Sequence, residues 1–376
     1  AAELERAHAL EVLALEEDLR AGALVGRARG EHRRAVSVAA QAPGGGGNAT
    51  AVANAPTGAA VVVTPERFPM ILGAGGNPRR VQWPDQETLT TWTATATNQA
   101  GDLDLQTKGS LVCGVRVNGG TLIFSTHDLF FARYIGLPNV YGIKQAGDQC
   151  GIVGKHAYCT VDQNAYWMGE SCFWMWGGYA EPLFCEISDD VFKNLNVTHR
   201  HKVWCRHDAA NGEIWFYYPR GAATECSHAA IYCYRGKPHW NHTPMARNCG
   251  FEAGAFSNPM KVTSAGAILK HEFGWDYDGA DRYLISGCFE IASGGKVLMI
   301  DALIPDETTQ GDFDVYIYVS EYPTDGETMF GPFGGADRIP VEAVGRKVRV
   351  EIRAGEDVED FRAGILRAFV QPWSGF

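Results

Sequence analysis

The chain has 376 residues, 45% of them hydrophobic and 20% charged, so it is long enough to bury the cores of two or three domains. Its 33 Lys and Arg against 44 Asp and Glu give a net charge of −11, which argues against binding to the outside of nucleic acid. No run of about 18 apolar residues occurs, so the sequence predicts no membrane-spanning segment.

The first predicted element is an N-terminal helical segment over residues 1–40. Its apolar residues recur at steps of three and four among Glu and Arg, beginning with Leu4, Ala7 and Leu10. Residues 41–61 are low in complexity and almost without charge, which predicts a flexible Gly/Ala-rich linker or loop. The charged start predicts no signal peptide, and the missing initial Met indicates a processed chain or part of a longer product.

A repeated strand–turn–strand unit then appears at 120–136, 164–178 and 211–221. Repeats at steps of 40–50 residues, with about four short strands each, are typical of β-propeller blades. We therefore predict a β-propeller-like domain over residues 62–280. Only three or four blades are visible in the sequence, fewer than a closed propeller needs.

The aromatic residues of these repeats predict packing between blades. Phe124 aligns with Trp167 at an offset of 43 residues, and Trp215 lies a further 48 residues along. A single four-stranded blade cannot bury both of its faces, and each large aromatic removes roughly 150–250 Å² from water when buried. In "YWMGESCFWMWGG", which starts at Tyr166, "GES" is therefore the predicted turn and its neighbours are inter-blade contacts.

Shorter elements complete the predicted domain. The sequence predicts a helix at 185–196 and strands at 156–161, 201–207, 229–240 and 265–273.

Residues 281–376 predict a second all-β domain, an antiparallel β-sandwich. In "FDVYIYVSEY" the residues Phe313, Val315, Ile317 and Val319 share one face of the strand, and polar residues occupy the other. "RKVRVEIR" alternates in the same way, with Val348, Val350 and Ile352 on the inner face. One buried and one solvated face are typical of such a sandwich.

The search for a metal or nucleotide site finds one group of residues whose ability to bind metal the sequence does not decide. His199, His201, Cys205 and His207 would share a face if the whole stretch were a strand, but same-face neighbours then stand roughly 7 Å apart, too far to grip one ion. We predict no metal, cofactor or catalytic residue, and whether this group binds metal stays open. The Gly-rich stretch 73–80 predicts a turn between strands, because no helix follows it to hold a phosphate. The ten cysteines contain no CxxC pair and are predicted to be reduced and mostly buried.

Carboxylate pairs provide the alternative from another functional class. They occur at Asp189–Asp190, at Asp276, Asp278 and Asp281, and at 356–360. A glycosidase needs two carboxylates about 5–10 Å apart beside aromatics that stack on sugar. The alternative is therefore a propeller-type tail protein that binds or hydrolyses glycans.

Several motifs resemble the tail nozzle (tail tubular protein B-like) proteins of short-tailed bacteriophages. A W-x-D-Q-x-x-x-x-x-W run precedes N-x-A-G-D, here Trp83, Asp85, Gln86, Trp92, Asn98, Ala100, Gly101 and Asp102. The likeness continues through "YWMGESCFWMWGG", "EIWFYYP", "YDGAD", "LIPDETTQGD" and the stretch 345–372. It covers roughly residues 65–372.

This resemblance implies a structural protein of the virion tail and no enzyme. Nozzle subunits of this kind assemble, typically as homo-hexamers, below the portal and its adaptor, contact tail fibres or other tail proteins, and continue the conduit for DNA ejection. Between Asp301 and Pro340 there are nine Asp or Glu and one Arg, Arg338, which suits a wall that lets DNA pass. Nozzle chains usually carry more sequence ahead of the shared part, so the missing blades belong to a part outside this chain or the architecture is shortened.

Overall fold

The computed structural model describes residues 39–40, 50–252, 257–272, 283–290, 297–305, 309, 311–322, 324–355, 363 and 366–373. The chain divides into two compact units, Ala1–His271 and Glu272–Phe376. The domain boundary predicted at 280/281 lies outside the described residues and stays a prediction. In the described part of the chain, no helix combines the length and the apolar character needed to cross a bilayer.

Besides a short two-stranded sheet, the described residues of the first unit form four four-stranded antiparallel sheets and one three-stranded sheet, each of the five a meander of consecutive strands. We call them blades 1 to 5. Blade 1 is β3–β6 (Ala60–Val63, Pro69–Leu72, Arg80–Trp83, Gly101–Asp104) and blade 2 is β7–β10 (Leu111–Val117, Gly120–Ser125, Leu129–Gly136, Val140–Gly147). Blade 3 is β11–β14 (Tyr158–Val161, Asn164–Met168, Phe173–Trp176, Ala180–Leu183) and blade 4 is β15–β18 (Trp204–Asp208, Glu213–Tyr218, His228–Cys233, His239–Pro244). Blade 5 is β19–β21 (Cys249–Phe251, Met260–Val262, Ile268–Lys270).

The predicted repeats coincide with these blades. Phe124, Trp167 and Trp215 all lie on the second strand of their blade, β8, β12 and β16. The "GES" turn joins β12 to β13, where the Gly169 amide donates to the carbonyl of Cys172 at 2.9 Å. The all-β, propeller-like prediction for this part of the chain is confirmed.

Aromatic side chains fill the spaces between neighbouring blades. Between blades 2 and 3 the ring centroids of Phe124 and Trp167 lie 5.2 Å apart. Between blades 3 and 4 the Phe173 ring lies 4.8 Å from Phe216 and 4.3 Å from Trp240. Trp167, Phe173 and Phe216 are fully buried, so the concentration of aromatics in this stretch is a packing feature.

The two outer pairs of blades pack in a related way. Trp83 of blade 1 contacts Tyr141 of blade 2 edge-on at 5.3 Å, inside a core that both blades share. Lys261 of blade 5 places its ammonium 4.4 Å from the ring centroid of Trp215 of blade 4. Trp215 is therefore half-buried and faces blade 5, while Phe216 faces blade 3.

Helical structure in the described residues is short. The predicted helix is confirmed as α1 (Ser188–Asn194), and the 3₁₀ turns Ala74–Gly76 and Val197–Lys202 accompany it. The Gly-rich stretch forms the turn from β4 to β5, as predicted, with Gly73 at φ 71° and its amide donating to the Arg80 carbonyl at 2.8 Å. The single strand predicted at 229–240 is wrong, because it is a hairpin of β17 and β18 that turns at Gly236, φ 75°.

The N-terminal predictions fall mostly outside the described residues. For the last two residues of the helical segment the prediction is wrong, because they form the strand β1 (Ala39–Ala40). This strand pairs antiparallel with β2 (Thr50–Ala51). The described end of the predicted linker runs along blade 1, where the Ala59 amide donates to the Leu72 carbonyl at 2.8 Å. It then enters β3, whose first two residues lie inside the predicted linker.

The second unit is a sandwich of two antiparallel sheets, in agreement with the prediction. Its strands are β22–β29 (Tyr283–Ile285, Phe289–Glu290, Leu298–Pro305, Phe313–Ser320, Thr328–Gly334, Ile339–Gly345, Lys347–Ala354, Leu366–Pro372). One sheet has the order β22-β28-β25-β26, with β23 also on β28, and the other has β27-β24-β29. Val315, Ile317 and Val348 of one sheet pack with Ile300 and Ala343 of the other in a shared core.

Candidate functional site

The motif residues of the nozzle resemblance in blade 1 build a folded loop between β5 and β6. The Trp83 indole donates to the Gln99 carbonyl at 2.9 Å, and the Gln99 amide donates to Asp85 at 2.8 Å. The Trp92 indole is buried and donates to the Leu89 carbonyl at 2.6 Å. A Cβ on Gly101 would lie 2.6 Å from the Trp83 ring, so the ring can come this close to the backbone only because residue 101 is glycine. These residues shape and pin the loop.

The four residues of the open metal group do not share a strand face. His199 and His201 lie in the 3₁₀ turn Val197–Lys202, and Cys205 and His207 lie on β15. Cys205 is buried, and His207 Nε2 lies 2.8 Å from the Tyr234 hydroxyl. Within the described ranges, one group of His, Cys, Asp or Glu residues has three ligand atoms close enough together to hold an ion. None of these four residues belongs to that group.

The described carboxylate pair is engaged in ion pairs with basic residues. Asp190 accepts from the two terminal guanidinium nitrogens of Arg220, at 2.6 and 2.7 Å, and this partner lowers the pKa of the Asp190 carboxyl against the effect of burial. Asp189 pairs with Lys193 one helical turn later. The other two predicted carboxylate groups, 276–281 and 356–360, lie outside the described residues.

Three groups that the sequence analysis did not single out meet at the edge of blade 2. His127 and Asp128 form the tight turn between β8 and β9, and Asp148 follows β10 in the connection to blade 3. His127 Nδ1 lies 2.8 Å from Asp128 Oδ1 and 3.6 Å from Asp148 Oδ1. The sequence signal was a His-Asp pair in a hairpin turn, but nothing in the sequence shows that the turn and the connection meet.

Hydrogen bonds fix this turn from several sides. Ser125 Oγ accepts from the backbone amides of His127 at 3.0 Å and Asp128 at 2.6 Å. The Thr107 hydroxyl donates to Asp128 Oδ2 at 2.5 Å. Burial opposes ionisation of Asp128, which is 3% exposed, but the hydrogen bonds from Thr107 and His127 outweigh it and lower the pKa of this carboxyl.

An open depression of about 740 Å³ lies beside the turn. Asp128, Asp148, Gln145, Thr107 and Lys108 contribute to its wall. Asp128 is thus the buried member of the cluster, and the side of the cluster that faces the depression is open to solvent.

A second pocket, of about 530 Å³, lies within the sandwich unit. Its wall includes the aromatic residues Phe330 and Trp373 and the carboxylates Glu321 and Asp325. The Trp373 side chain is half exposed, at 48%. An aromatic ring beside carboxylates is an arrangement that suits sugar, because the ring stacks on a sugar face and the carboxylates accept from hydroxyls.

The cysteines behave as small hydrophobic residues. All ten lie in the described part of the chain and form no disulfide there; five are buried, and Cys249 and Cys288 are exposed. Burial raises the pKa of the Cys150 thiol to about 11, so this group is neutral at pH 7.

Comparisons with known proteins assign the chain to no family. No protein-family model matches the chain, and a search of curated proteins finds no match. Among solved structures, the chain is similar to the exo-β-1,3-galactanase of Phanerochaete chrysosporium with galactose, at 10% identity over 88% of this chain and 98% of that chain. The TM-score of this match is 0.28, and at that level the likeness supports no argument about fold or function.

Proposed function

We propose that the chain is a structural subunit of a bacteriophage tail nozzle, located in the tail of the virion and without enzymatic activity. In this proposal the subunits form a ring, typically of six, below the portal and adaptor, and the ring continues the conduit through which genomic DNA is ejected. Neighbouring tail proteins or fibres dock on the same ring.

The observation that carries the proposal is where the motif residues lie. Trp83 and Trp92 pin the β5–β6 loop, and Trp167, Phe173 and Phe216 pack between blades. Residues that give a chain its likeness to a mechanical protein are expected to serve packing, and these residues do so. Such stacked aromatic blades suit a subunit that has to stay rigid around a passing polymer.

The charge distribution supports a conduit in part. The chain is acidic overall, at −11, and the stretch 301–340 holds nine carboxylates. Among the described residues of this stretch, two carboxylates are paired with arginines: Asp301 with Arg338 at 3.1 Å, and Glu327 with Arg349. The repulsion that we propose between this stretch and DNA therefore has to come from the remaining acidic residues.

Electron microscopy of the purified chain tests the proposal. We expect six-fold rings in negative stain and a hexamer mass by mass photometry, with no release of sugar from bacterial surface polysaccharide. A chain that stays monomeric at every accessible concentration and hydrolyses or binds glycan would contradict the proposal.

Glycan binding is the second candidate, and the sandwich pocket is the observation that favours it. Trp373, Glu321 and Asp325 offer a stacking ring and hydrogen-bond acceptors within one pocket. A glycan array probed with the chain and with Trp373→Ala distinguishes the candidates: sugar binding that depends on Trp373 supports this second function.

A further inference from the structure

We propose that His127, Asp128 and Asp148 together bind one divalent transition-metal ion, of the class that includes Zn²⁺ and Mn²⁺. The three residues offer one imidazole nitrogen and two carboxylate oxygens that all lie within 4.8 Å of one another. The proposal concerns the edge of blade 2 and does not depend on the function proposed above.

The distances suit an ion after a small adjustment. Bonds from such an ion to nitrogen and oxygen are about 2.0–2.2 Å long, which places neighbouring ligand atoms around a tetrahedral ion about 3.4 Å apart. His127 Nδ1 is 2.8 Å from Asp128 Oδ1 and 3.6 Å from Asp148 Oδ1, so the measured separations lie on both sides of this value. Asp148 is the adjustable ligand, because its side chain is 62% exposed and follows the last residue of β10.

Hydrogen bonds hold the other two ligands in place. Thr107 donates to Asp128 Oδ2, which leaves Oδ1 facing His127, and the Gln145 amide reaches Oδ1 at 3.4 Å. Ser125 Oγ fixes the backbone of both turn residues. A carboxylate oriented by neighbouring side chains is what a metal site needs, because such contacts fix the ligand and raise affinity.

The depression beside the turn gives an ion access and leaves room for water as further ligands. Its wall includes both carboxylates, and Lys108 is the cation that opposes binding there. The imidazole argues against Ca²⁺ and Mg²⁺, which prefer oxygen ligands alone, whereas a mixed nitrogen and oxygen set suits Zn²⁺ and Mn²⁺.

Binding exchanges one interaction for another. The ion takes the His127 Nδ1 lone pair, so the neutral ring carries its proton on Nε2, and the hydrogen bond with Asp128 Oδ1 is replaced by bonds from both atoms to the metal. The bound ion links the β8–β9 turn to the connection that leads into blade 3. Metal is therefore expected to stabilise the folded chain by mass action.

Titration with Mn²⁺, followed by electron paramagnetic resonance, tests the proposal on the full chain after treatment with a chelator. Mn²⁺ is the probe because it avoids the thiols of the ten cysteines. We expect one Mn²⁺ per chain, displaced by Zn²⁺, which binds such ligands more tightly. His127→Gln and Asp148→Asn should each weaken Mn²⁺ binding by at least about tenfold.

Matched variants elsewhere serve as controls. His239→Gln and Asp162→Asn change an exposed histidine and an exposed acidic turn residue, and both should bind Mn²⁺ as the unchanged chain does. No stoichiometric Mn²⁺ binding, or equal binding by the Asp148→Asn chain, would overturn the proposal and leave His127 as a simple hydrogen-bond partner of Asp128. Circular dichroism of each variant shows that lost binding is not lost folding.

Discussion

Individual aromatic residues do two jobs in the first unit: their rings pack between blades, and their polar atoms hold the connections. The Trp167 indole donates to the Cys150 carbonyl at 2.9 Å, and the Trp240 indole donates to the Phe184 carbonyl at 2.8 Å. Both carbonyls belong to segments that join consecutive strands or blades. A buried tryptophan needs such a partner, because an unpaired N–H inside a core costs free energy.

Phe173 offers the clearest test of the inter-blade core. Phe173→Ala removes a fully buried ring that contacts Phe216, Trp240 and Phe192, and should lower the free energy of unfolding by about 3–5 kcal/mol. Urea unfolding followed by tryptophan fluorescence measures the change. Phe184→Ala is the matched control, since the Phe184 side chain is 83% exposed and its removal should change the value by less than about 0.5 kcal/mol. Equal effects of the two variants would contradict the packing described here.

Gly101 tests the motif loop. Gly101→Ala places a methyl group 2.6 Å from the Trp83 ring, so the ring or the strand has to move, at a cost of about 1–3 kcal/mol. Gly177→Ala is the control, because its nearest neighbour, Asn164 Oδ1, lies 4.0 Å away. A thermal shift assay should show a lower melting temperature for the first variant alone. Unchanged melting in both would show that Gly101 is not sterically required.

At the scale of elements, blade 4 carries two half-buried histidines, His207 and His228. Burial lowers the pKa of His207, which contacts Tyr234, and of His228, whose pKa the charge of Arg220 lowers further. A histidine whose pKa is lower in the folded chain binds its proton more readily when unfolded. Protonation therefore favours unfolding once the pH falls below the ordinary histidine pKa of about 6.5.

The free energy of unfolding should accordingly fall as the pH is lowered from 7.5 to 5.5. Most carboxylates stay ionised over this range, so they contribute little to the change. The double variant His207→Gln/His228→Gln should show a smaller fall, while His239→Gln, at an exposed position, should keep the full fall. Denaturant unfolding at several pH values measures it, and a slope unaffected by the double variant would speak against this origin.

For the whole molecule, the net charge of −11 predicts weak contact with DNA. We expect no shift of duplex DNA by micromolar protein in a gel at about 150 mM salt, because phosphate binding needs clustered cations that release counterions. We expect the same absence of a gel shift for single subunits and for assembled rings, because the wall of the proposed conduit is acidic. Retarded DNA at that salt concentration would argue against a passive wall.

Much of the fold could be predicted because it depends on local patterns. Val315 and Ile317 alternate with polar residues, and this alternation fixes which face of β25 is buried. The repeat spacing likewise placed Phe124, Trp167 and Trp215 on equivalent strands. Whether the His199 group lies on one strand could not be predicted in this way, because a 3₁₀ turn ends just before β15 and no period in the sequence shows where such a turn begins.

The sequence by itself determined the strand periods, the all-β class and the repeat spacing, because each follows from the order of residues along the chain. It also determined the acidic charge, which follows from the composition. Only the tertiary structure decided which blade each aromatic face meets and that Asp148 lies beside His127, twenty-one residues earlier in the chain. Contacts of that kind depend on how separate sheets stack, and stacking is set by the shapes of two surfaces that are distant in sequence.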